Sequence, residues 1–543
     1  MTLGDLLRQR ATEPADADRV YLRFEDGSWT FAETYREACR YGTLFASLLD
    51  PSKPRHVGLL LENRPEFVFA ELGAALGGAV VVGLNPTRRG EPFARDVAYS
   101  DCQVVVTEPR FAGILSDGLS TPDAPAPRVL VAEESLPGAL ATQPATDPHA
   151  PVSPDDLFLI VFTSGTTAGP KGVLRSHGKL VLMSTGAAYL MTGATRDDVV
   201  YCAMPLFHAN AQILALGMSL AVPCGLVLAR RFSKTRFLHD VRRYGATLFN
   251  YVGSPLAYVM DTPERPDDAE SPLRLAYGNE GPRQYLDAFA KRFGCRVIDG
   301  YGSSEVGVSF SRGDDDPPGV LGRAGAGVKI LREDGTECAS AELDAEGRLT
   351  NPDEAIGEIV NVESSGLFEG YWKNDEATTS RTRGGRYYTG DLGYRDARGY
   401  VYFAGRDVEW LRVDGENFLA RSVEATLERH PDVFLCAVYG VPDAEAGDRV
   451  MAALALRDGV TFDPDGFVRF LDAQPDLSPK WRPTYVRIVP ELRRSETNKV
   501  LKRELQREKF LVADPIWWRR RGAASYLRLE AGDLATLRVQ FTR

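Results

Sequence analysis

The sequence predicts an α/β protein whose large N-terminal domain of doubly wound sheets and β-rich subdomain precede a small α+β C-terminal domain. Short apolar runs alternate with helical segments between residues 56 and 107 and again between 198 and 298. This alternation is typical of parallel sheets with helices on both faces. The chain has 543 residues, which is too many for one hydrophobic core, so at least two domains are expected.

Composition and charge narrow the class of protein. Hydrophobic residues make up 44% and charged residues 26% of the chain, as in ordinary globular proteins. Lys and Arg total 64 against 75 Asp and Glu, a net charge of −11, so nucleic-acid binding is not expected as the main role. The seven cysteines are scattered without a CxxC pair, which favours reduced thiols.

The sequence contains no predicted signal peptide or membrane span. The N-terminus lacks an apolar signal core. The most membrane-like stretch, residues 67–84, is interrupted by Glu71 and rich in glycine and alanine. We interpret it as a buried helix that runs into a strand. A cytoplasmic protein is therefore expected.

The first 155 residues have clear local signals. A helix is expected first, followed by a hairpin around Asp26-Gly27, and Thr30 with Glu33 fits a capping box that starts the next helix. The alternating elements then follow, listed as strand 56–61, helix 64–76, strand 79–83, a further helix and strand 102–107. Residues 117–155, rich in Pro, Ala, Ser and Asp, are expected to form a loop.

The rest of the chain predicts a second alternating block, a β-rich segment and an α+β unit. The strands of the second block are expected at 199–204, 226–228, 247–252, 273–277 and 296–298. Short strands are expected within 322–403, and an α+β unit is expected around 432–456 and 484–489. The tail is interpreted as a solvated basic turn at 517–521 followed by a strand pair at 525–530 and 537–541.

One loop stands out because it follows a predicted buried strand at 157–162. It combines hydroxyl side chains, glycines, a proline and a lysine in the series Thr163, Ser164, Gly165, Thr166, Thr167, Ala168, Gly169, Pro170, Lys171, Gly172. Glycines allow backbone N–H groups to turn inward, so such a loop can bind an anion beside the mobile charge of its lysine. It is not a Walker A loop, because Lys171 is followed by glycine.

This loop resembles the phosphate loop of the adenylate-forming superfamily, which includes acyl-CoA synthetases, peptide-synthetase adenylation domains and luciferases. The resemblance implies that the loop binds the phosphates of ATP through Thr163, Ser164, Gly165, Thr166, Thr167 and Lys171. It also implies a catalytic role and a Mg²⁺ contact for Thr166.

Two further motifs match the nucleotide site of the same superfamily. Tyr301-Gly302-Ser303-Ser304-Glu305 resembles its Tyr-Gly-x-Thr-Glu motif, in which the aromatic ring stacks on adenine and the glutamate holds Mg²⁺. A carboxylate with several waters is ordinary magnesium chemistry. Upstream, the resemblance places a segment beside adenine that contains Gly278, Asn279 and Glu280.

The remaining motifs imply contacts to ribose, acid and CoA. Asp391 and Arg406 match the ribose-binding positions, and a carboxylate can accept both ribose hydroxyls. Lys499 matches the adenylation lysine, whose charge would stabilise the attack of a carboxylate on the α-phosphate. The acid site would be lined by Phe207, His208 and Asn210, with His208 as a gating or packing residue. Residues 412–417 match the fatty-acid transport protein branch, and Gly415 would line the CoA channel.

The sequence departs from the superfamily pattern at three places. Ala168 replaces a usual glycine, and Thr497-Asn498 replaces the more usual Ser-Gly before the lysine. Val408 occupies the hinge position, where Asp, Lys or Gly is usual. Valine is β-branched and conformationally restricted, which leaves open whether the C-terminal domain rotates into the thioester-forming state.

We therefore expect an ATP-dependent acid–thiol ligase that uses Mg²⁺. It would adenylate a fatty or other hydrophobic carboxylic acid, release pyrophosphate and transfer the acyl group to CoA. The domains would be 1–405 for ATP and acid, 406–409 as hinge, 410–515 as a mobile domain carrying Lys499, and 516–543 as an extension. A homodimer is left open, as is a different acceptor or acid, such as a carrier protein, an amine or nitrite; a non-catalytic homologue is the third alternative.

Overall fold

The structure is a computed structural model, and its described residues form two compact units. They are residues 1–88, 90–118, 126–163, 171–313, 315–317, 319–344, 349–406, 410–413, 416–443, 447–474, 477–495, 500–520, 523–530, 532–534 and 537. The first unit comprises Met1–Gly313 and Glu363–Tyr387, and the second comprises Asp314–Val362 and Tyr388–Arg543. The domain boundaries at 405, 409 and 515 stay predictions.

The strands of the first unit form two mainly parallel sheets. They are β1 (Val20–Phe24), β2 (Gly27–Thr30), β3 (His56–Leu60), β4 (Val80–Gly83), β5 (Cys102–Thr107), β6 (Arg128–Val131), β7 (Leu157–Thr163), β8 (Lys171–Ser176), β9 (Val199–Cys202), β10 (Gly225–Leu228), β11 (Leu248–Val252), β12 (Leu275–Asn279), β13 (Arg296–Gly302) and β14 (Ser309–Ser311). One sheet has the order β14-β13-β12-β11-β9-β10-β1-β2, and the other has the order β6-β5-β3-β4-β7-β8.

The strands of the second unit form two further sheets. They are β15 (Val320–Arg323), β16 (Val328–Leu331), β17 (Gly357–Asn361), β18 (Tyr387–Arg395), β19 (Tyr400–Arg406), β20 (Trp410–Val413), β21 (Glu416–Leu419), β22 (Val433–Asp443), β23 (Gly447–Leu456), β24 (Tyr485–Val489), β25 (Ile516–Trp518) and β26 (Leu527–Arg528). The order is β15-β19-β18-β17-β16 in one sheet and β21-β20-β23-β24-β25-β26 in the other, where β22 also pairs with β23.

The α-helices, in chain order, are α1 (Leu3–Thr12), α2 (Phe31–Leu48), α3 (Pro65–Gly77), α4 (Gly90–Tyr99), α5 (Pro109–Gly118), α6 (Ser135–Ala141), α7 (His177–Gly186), α8 (Ala209–Ala211), α9 (Met218–Ala221), α10 (Phe237–Tyr244), α11 (Pro255–Met260), α12 (Arg283–Phe293), α13 (Pro352–Ala355), α14 (Asp375–Arg381), α15 (Ala420–Leu427), α16 (Pro464–Asp472) and α17 (Lys502–Glu508). Ala187–Thr192 and Gln212–Gly217 are π-helical, and Asp268–Glu270 and Arg383–Gly385 are 3₁₀-helical.

Local sequence signals explain most of these elements. The predicted capping box is confirmed: the Thr30 and Glu33 side chains each accept a hydrogen bond from the other residue's backbone N–H, at 3.1 and 2.8 Å respectively. The alternating strands and helices of the two predicted blocks are also confirmed. The main core of the first unit lies between its two sheets and contains apolar side chains from both, together with those of α1, α2 and α3.

The predicted loop at 117–155 is wrong in its middle part. Residues 128–131 form β6, which pairs in parallel with β5, and residues 135–141 form α6. Both elements are short, and the proline, serine and aspartate residues around them mask their signal. Pairing with the buried strand β5 supplies the hydrogen bonds that the local sequence does not indicate.

The interpretation of the tail is also corrected. Trp517 and Trp518 belong to β25, which pairs with β24 on one side and with β26 on the other, so they are not part of a solvated turn. Tyr526 packs in the core of the second unit, where its hydroxyl donates to the carbonyl of Pro483. Residues 538–543, which include most of the second predicted tail strand, lie outside the described residues.

The seven cysteines are free thiols, as the sequence suggested. Six are buried, and Cys338 is partly exposed. Burial raises the pKa of every one of these thiols above its usual value. At neutral pH they therefore stay in the protonated and weakly reactive form.

Helix α3 is buried on all sides, and it carries the carboxyl group of Glu71 into the core. Across the described residues, no helix is long and apolar enough to cross a membrane. The Glu71 carboxylate accepts a hydrogen bond of 2.8 Å from the amide nitrogen of Gln212. Burial raises the pKa of Glu71 to about 8, although that hydrogen bond lowers it. Glu71 is thus mainly neutral in the folded protein at neutral pH.

Glu71→Gln should remove a pH dependence from the free energy of unfolding. An unfolded glutamate titrates near pH 4.3, about four units below the folded group, so folding takes up a proton between these values. The contribution of Glu71 to stability is full below about pH 4 and is lost towards pH 8, at up to about 1.4 kcal/mol per pH unit. Denaturant midpoints measured from about pH 5 to about pH 8 should fall more steeply for wild type than for Glu71→Gln. Parallel curves would contradict this assignment.

Candidate active site

The predicted phosphate loop lies between two antiparallel strands, β7 and β8. Their last residue pair is Thr163 with Lys171, so the strands hold the two ends of the loop side by side. Residues 164–170 lie outside the described residues, and they include the predicted Ser164, Gly165, Thr166 and Thr167. Their roles stay predictions.

Lys171 faces an aromatic residue that the sequence analysis missed. Its Nζ lies 5.7 Å from the centroid of the Tyr371 ring. Tyr371 is 3% exposed, and its hydroxyl donates a 2.8 Å hydrogen bond to Oε1 of Glu305. The ring therefore bridges the predicted phosphate-binding lysine and the predicted magnesium carboxylate.

Backbone pairing explains how Tyr371 reaches this position. Residues 370–372 run beside β8: the Leu174 N–H donates to the carbonyl of Gly370, and the Trp372 N–H donates to that of Gly172. Burial and the adjacent Glu305 raise the pKa of Tyr371 above its usual value, so the phenol stays neutral. A glycine followed by two aromatic residues was the only local signal for this segment.

Two arginines complete the charged surroundings of Glu305. Arg175, 3% exposed, donates to the carbonyls of Leu367 at 2.6 Å and Ser304 at 2.7 Å. Burial lowers the pKa of Arg175 below its usual value. Burial also lowers the pKa of Arg381, but Tyr371 and neighbouring acidic groups raise it overall. The loop that carries Glu305 is thus fixed by a buried cation.

The predicted adenine segment lies at the carboxyl ends of β11, β12 and β13. Gly278 pairs with Tyr251 on one side and Asp299 on the other. A Cβ atom on Gly278 would lie 1.8 Å from the Tyr251 carbonyl oxygen, so only glycine fits. Glu280 has a φ of 59° and turns the chain out of the sheet.

An aspartate that the sequence analysis missed supports this turn. Oδ1 of Asp299 accepts hydrogen bonds from the Gly281 N–H at 2.9 Å and from the Tyr251 hydroxyl at 2.8 Å. The bonds fix the chain immediately after Asn279 and Glu280. Because its partners lie on other segments of the sheet, no local sequence pattern marks Asp299.

Tyr301 and Gly302 are the last two residues of β13, not the start of a loop after it. Tyr301 pairs with Phe310 of β14, and their ring centroids are 5.6 Å apart. Ser303, Ser304 and Glu305 follow directly. The antiparallel edge strand β14 therefore holds the predicted adenine-stacking ring in place at this end of the sheet.

The predicted acid-lining motif contacts the predicted adenine segment. Asn210 Nδ2 donates to Oδ1 of Asn279 at 3.0 Å. Phe207 is buried, and its ring centroid lies 4.3 Å from that of His208. The loop before them is held by Asn63, which accepts from the Leu206 N–H and donates to the Met204 carbonyl.

A narrow cavity adjoins this motif and has a mainly apolar lining. Strands β7 and β8 form one wall, and α7, α8 and the following π-helical turn form another. Its lining residues are Leu159, Val161, Val173, Arg175, Leu180, Ala209, Ile213 and Ser304. It lies within the first unit, next to the segments predicted to bind acid and magnesium.

In the second unit, the two predicted ribose residues lie on neighbouring strands. Asp391 of β18 and Arg406 of β19 are paired antiparallel strand residues. Asp391 is buried, and its backbone N–H donates to the Thr389 hydroxyl at 3.1 Å. The side chain of Arg406 is outside the described part of the chain, as are the whole of Val408, Gly415 and Lys499.

The sheet topology and the polar residues at the carboxyl ends of β11–β13 are typical of α/β proteins that bind ligands at this edge of the sheet. Comparison with known proteins makes the class specific. The AMP-binding enzyme family matches residues 7–372, and the AMP-binding enzyme C-terminal domain matches residues 422–499. The chain belongs to the AMP-binding enzyme family.

Curated relatives are similar over almost the whole chain. A steroid-22-oyl-CoA synthetase from Rhodococcus jostii (strain RHA1) is 44% identical over 538 residues, covering 96% of this chain and 95% of that protein. A medium/long-chain-fatty-acid–CoA ligase, FadD17, from Mycobacterium marinum (strain ATCC BAA-535 / M) is 44% identical, covering 91% of this chain and 95% of the relative. These similarities confirm an ATP-dependent, AMP-forming acyl-CoA ligase, with CoA as the acceptor.

Solved structures confirm the fold. The anthranilate CoA ligase AuaEII in complex with anthranoyl-AMP has a TM-score of 0.82 at 24% identity, covering 94% of this chain and 98% of that one. ATP-bound MatB from Rhodopseudomonas palustris has a TM-score of 0.77 at 25% identity, covering 93% and 99%. The predicted large α/β domain, β-rich subdomain and small C-terminal domain are therefore confirmed as fold class.

Gly278→Ala should destabilise the protein and weaken ATP binding. The new Cβ would overlap the Tyr251 carbonyl oxygen, so β11 and β12 would have to separate, at a cost of about 1–3 kcal/mol or more. Gly302→Ala is the matched control, because its nearest heavy atom would be 4.0 Å away. Denaturant unfolding would test both variants, and ATP titration would test Gly278→Ala alone, because Gly302 belongs to the predicted nucleotide motif; equal stability of the two alanine variants would contradict the steric argument.

Proposed function

We propose that this ligase activates a bulky, hydrophobic monocarboxylic acid, of the steroid-side-chain or medium- to long-chain fatty type. The observation that supports the hydrophobic character of the acid is the lining of the narrow cavity, where six of the eight side chains are aliphatic. Among these described lining residues, the only cation is Arg175, which already donates to two carbonyl groups. A second carboxylate on the acid would therefore find no counter-ion among them. The names of the two relatives with 44% identity point to the same two acid types.

In the adenylation step, an oxygen of the acid attacks the α-phosphorus of ATP and pyrophosphate leaves. We assign phosphate binding to the loop of residues 163–171, with Lys171 steadied by the Tyr371 ring. Adenine would lie against Tyr301 and the segment from Gly278 to Glu280, and the ribose would bind Asp391 and Arg406. Lys499 would stabilise the charge that builds on the α-phosphate.

In the second step, the CoA thiol attacks the acyl carbon and AMP leaves. No protein nucleophile takes part, so the protein acts by positioning and electrostatics. The small C-terminal domain would rotate about residues 406–409 between the steps, bringing Gly415 towards CoA.

The residues present fit a bound Mg²⁺. Magnesium often binds through one or two carboxylates together with substrate phosphates and waters. Glu305 offers such a carboxylate, and Tyr371 orients it by donating to Oε1. Glu305, with Thr166 of the phosphate loop, would hold the ion, which neutralises phosphate charge when bound.

A variant in the cavity tests the proposed acid class. Ile213→Phe should lower kcat/KM by about 10-fold or more, because the added ring fills the apolar cavity. Leu214→Phe, one residue further and outside the lining, should change it less than about 2-fold. The assay follows pyrophosphate release and CoA consumption with a steroid-22-oic acid, dodecanoic acid, benzoate and malonate. Preference for malonate, or equal effects of the two variants, would contradict the proposal.

A second variant tests the assignment of Glu305. Glu305→Gln should raise the Mg²⁺ concentration needed for half-maximal pyrophosphate release by about 10-fold, because an amide is a poorer ligand than a carboxylate. Glu369→Gln is the control: this nearby carboxylate accepts from the Ser176 N–H and faces Lys179 instead. An unchanged Mg²⁺ requirement in Glu305→Gln would remove this residue from the metal site.

A further inference from the structure

A partly buried ion pair in the second unit fixes the helix that follows the predicted adenylation lysine. Nζ of Lys502, the first residue of α17, lies 2.8 Å from Oε1 of Glu424 on α15. Glu424 is 3% exposed, and the same oxygen accepts from the Val438 N–H of β22 at 2.8 Å. One carboxylate therefore joins α15, β22 and α17.

The charges around this pair are balanced within the cluster. Arg421 lies 3.6 Å from Oε2 of Glu424 and forms two hydrogen bonds to the Glu428 carboxylate, at 2.6 and 3.1 Å. Burial lowers the pKa of Arg421, but Glu428 and Glu424 raise it overall. Lys502 and Arg421 thus offset Glu424 and Glu428, and removing Lys502 would take the nearest cation away from the buried carboxylate of Glu424.

The chain on both sides of residues 496–499, a segment that includes Lys499 and lies outside the described residues, is also fixed. Arg494 and Val500 form a β-bridge, and the Leu501 N–H donates to the carbonyl of Arg493 at 2.9 Å. Arg493 in turn pairs with Glu508 at the end of α17, at 2.8 Å. Arg494 and Val500, which lie on either side of Lys499, are therefore held side by side. Lys502 comes three residues after Lys499.

We propose that Glu424 and Lys502 are positioning residues for adenylation. Their ion pair fixes the start of α17, which begins three residues after Lys499. The inference rests on the proposed role of Lys499. Glu424 and Lys502 do not touch substrate themselves. A displacement of a catalytic group by about 1 Å can reduce a rate about 100-fold, so loss of the pair should slow the step that uses Lys499.

The test separates the two half-reactions in the full chain. Adenylation is measured as pyrophosphate release with dodecanoic acid or a steroid-22-oic acid, whichever wild type uses faster. Thioester formation is measured from the corresponding supplied acyl-adenylate and CoA. The variants are Lys502→Met, Lys502→Arg, Glu424→Gln and Glu424→Gln with Lys502→Met, and the control Arg507→Met removes an exposed cation from the same helix.

Lys502→Met should lower kcat for adenylation about 10- to 100-fold, with an unchanged KM for ATP and thioester formation within about 2-fold of wild type. Lys502→Arg should recover most of the lost rate. Glu424→Gln keeps an acceptor for the Val438 N–H and should resemble Lys502→Met. The kcat for adenylation of the double variant should be no lower than that of either single variant, because each single substitution already breaks the ion pair. Arg507→Met should behave as wild type.

Lys499→Ala distinguishes failure of this inference from failure of the proposed function. If Lys499→Ala abolishes adenylation while Lys502→Met and Glu424→Gln leave it unchanged, the positioning role is overturned and the role of Lys499 stands. If Lys499→Ala leaves adenylation intact, the role of Lys499 itself is wrong. Equal losses in both half-reactions for Lys502→Met, or for Glu424→Gln if Lys502→Met does not fold, would also overturn the inference.

Discussion

The buried guanidinium of Arg175 holds together the part of the site that lies in the first unit. It projects from β8, which begins at the phosphate loop, and donates to carbonyls of the Glu305 loop and of the segment that leads to Tyr371. Three stretches that are far apart in the sequence meet at one side chain. Because a planar guanidinium has donors in fixed directions, these backbone segments keep a fixed spacing before any ligand binds.

The other site residues of the first unit are also positioned by backbone contacts. Tyr371 can reach both Lys171 and Glu305 only because residues 370–372 run beside β8. On the neighbouring sheet, Gly278 lets β12 approach β11 closely, and Asp299 turns the chain after it. The pairing of the strands therefore determines where the charged side chains of the site lie.

Much of the fold was predictable from sequence because its signals are local. The Thr30–Glu33 cap, the apolar runs of the parallel strands and the buried character of α3 can be recognised within a few neighbouring residues. The pairing of the two residues that the family resemblance assigns to ribose also has a local cause, since two strands joined by a tight turn place Asp391 opposite Arg406. The phosphate-loop and nucleotide motifs could be recognised because their residues are consecutive.

What the sequence did not reveal depends on distant partners. Arg175, Tyr371 and Asp299 are ordinary residues until the sheets bring their hydrogen-bond partners to them. Strand β6 and strand β25 similarly rely on pairing with buried strands, not on their own composition. The contacts of Glu424 with β22 and α17 belong to the same group. In each of these examples, hydrogen bonds to residues distant in the sequence determine the structure, and the local sequence preference is weak.

The state of the cysteines matters for an enzyme whose second substrate is itself a thiol. A free thiol such as that of CoA exchanges with protein disulfides and forms mixed disulfides with exposed, ionised cysteines. Here all seven cysteines are unpaired and carry thiols of raised pKa, six of them buried. The folded chain thus offers its thiol substrate neither a disulfide to exchange with nor a reactive thiolate. Colorimetric titration of the remaining CoA should therefore report mainly the substrate, with any slow extra signal from the folded chain expected first from the partly exposed Cys338.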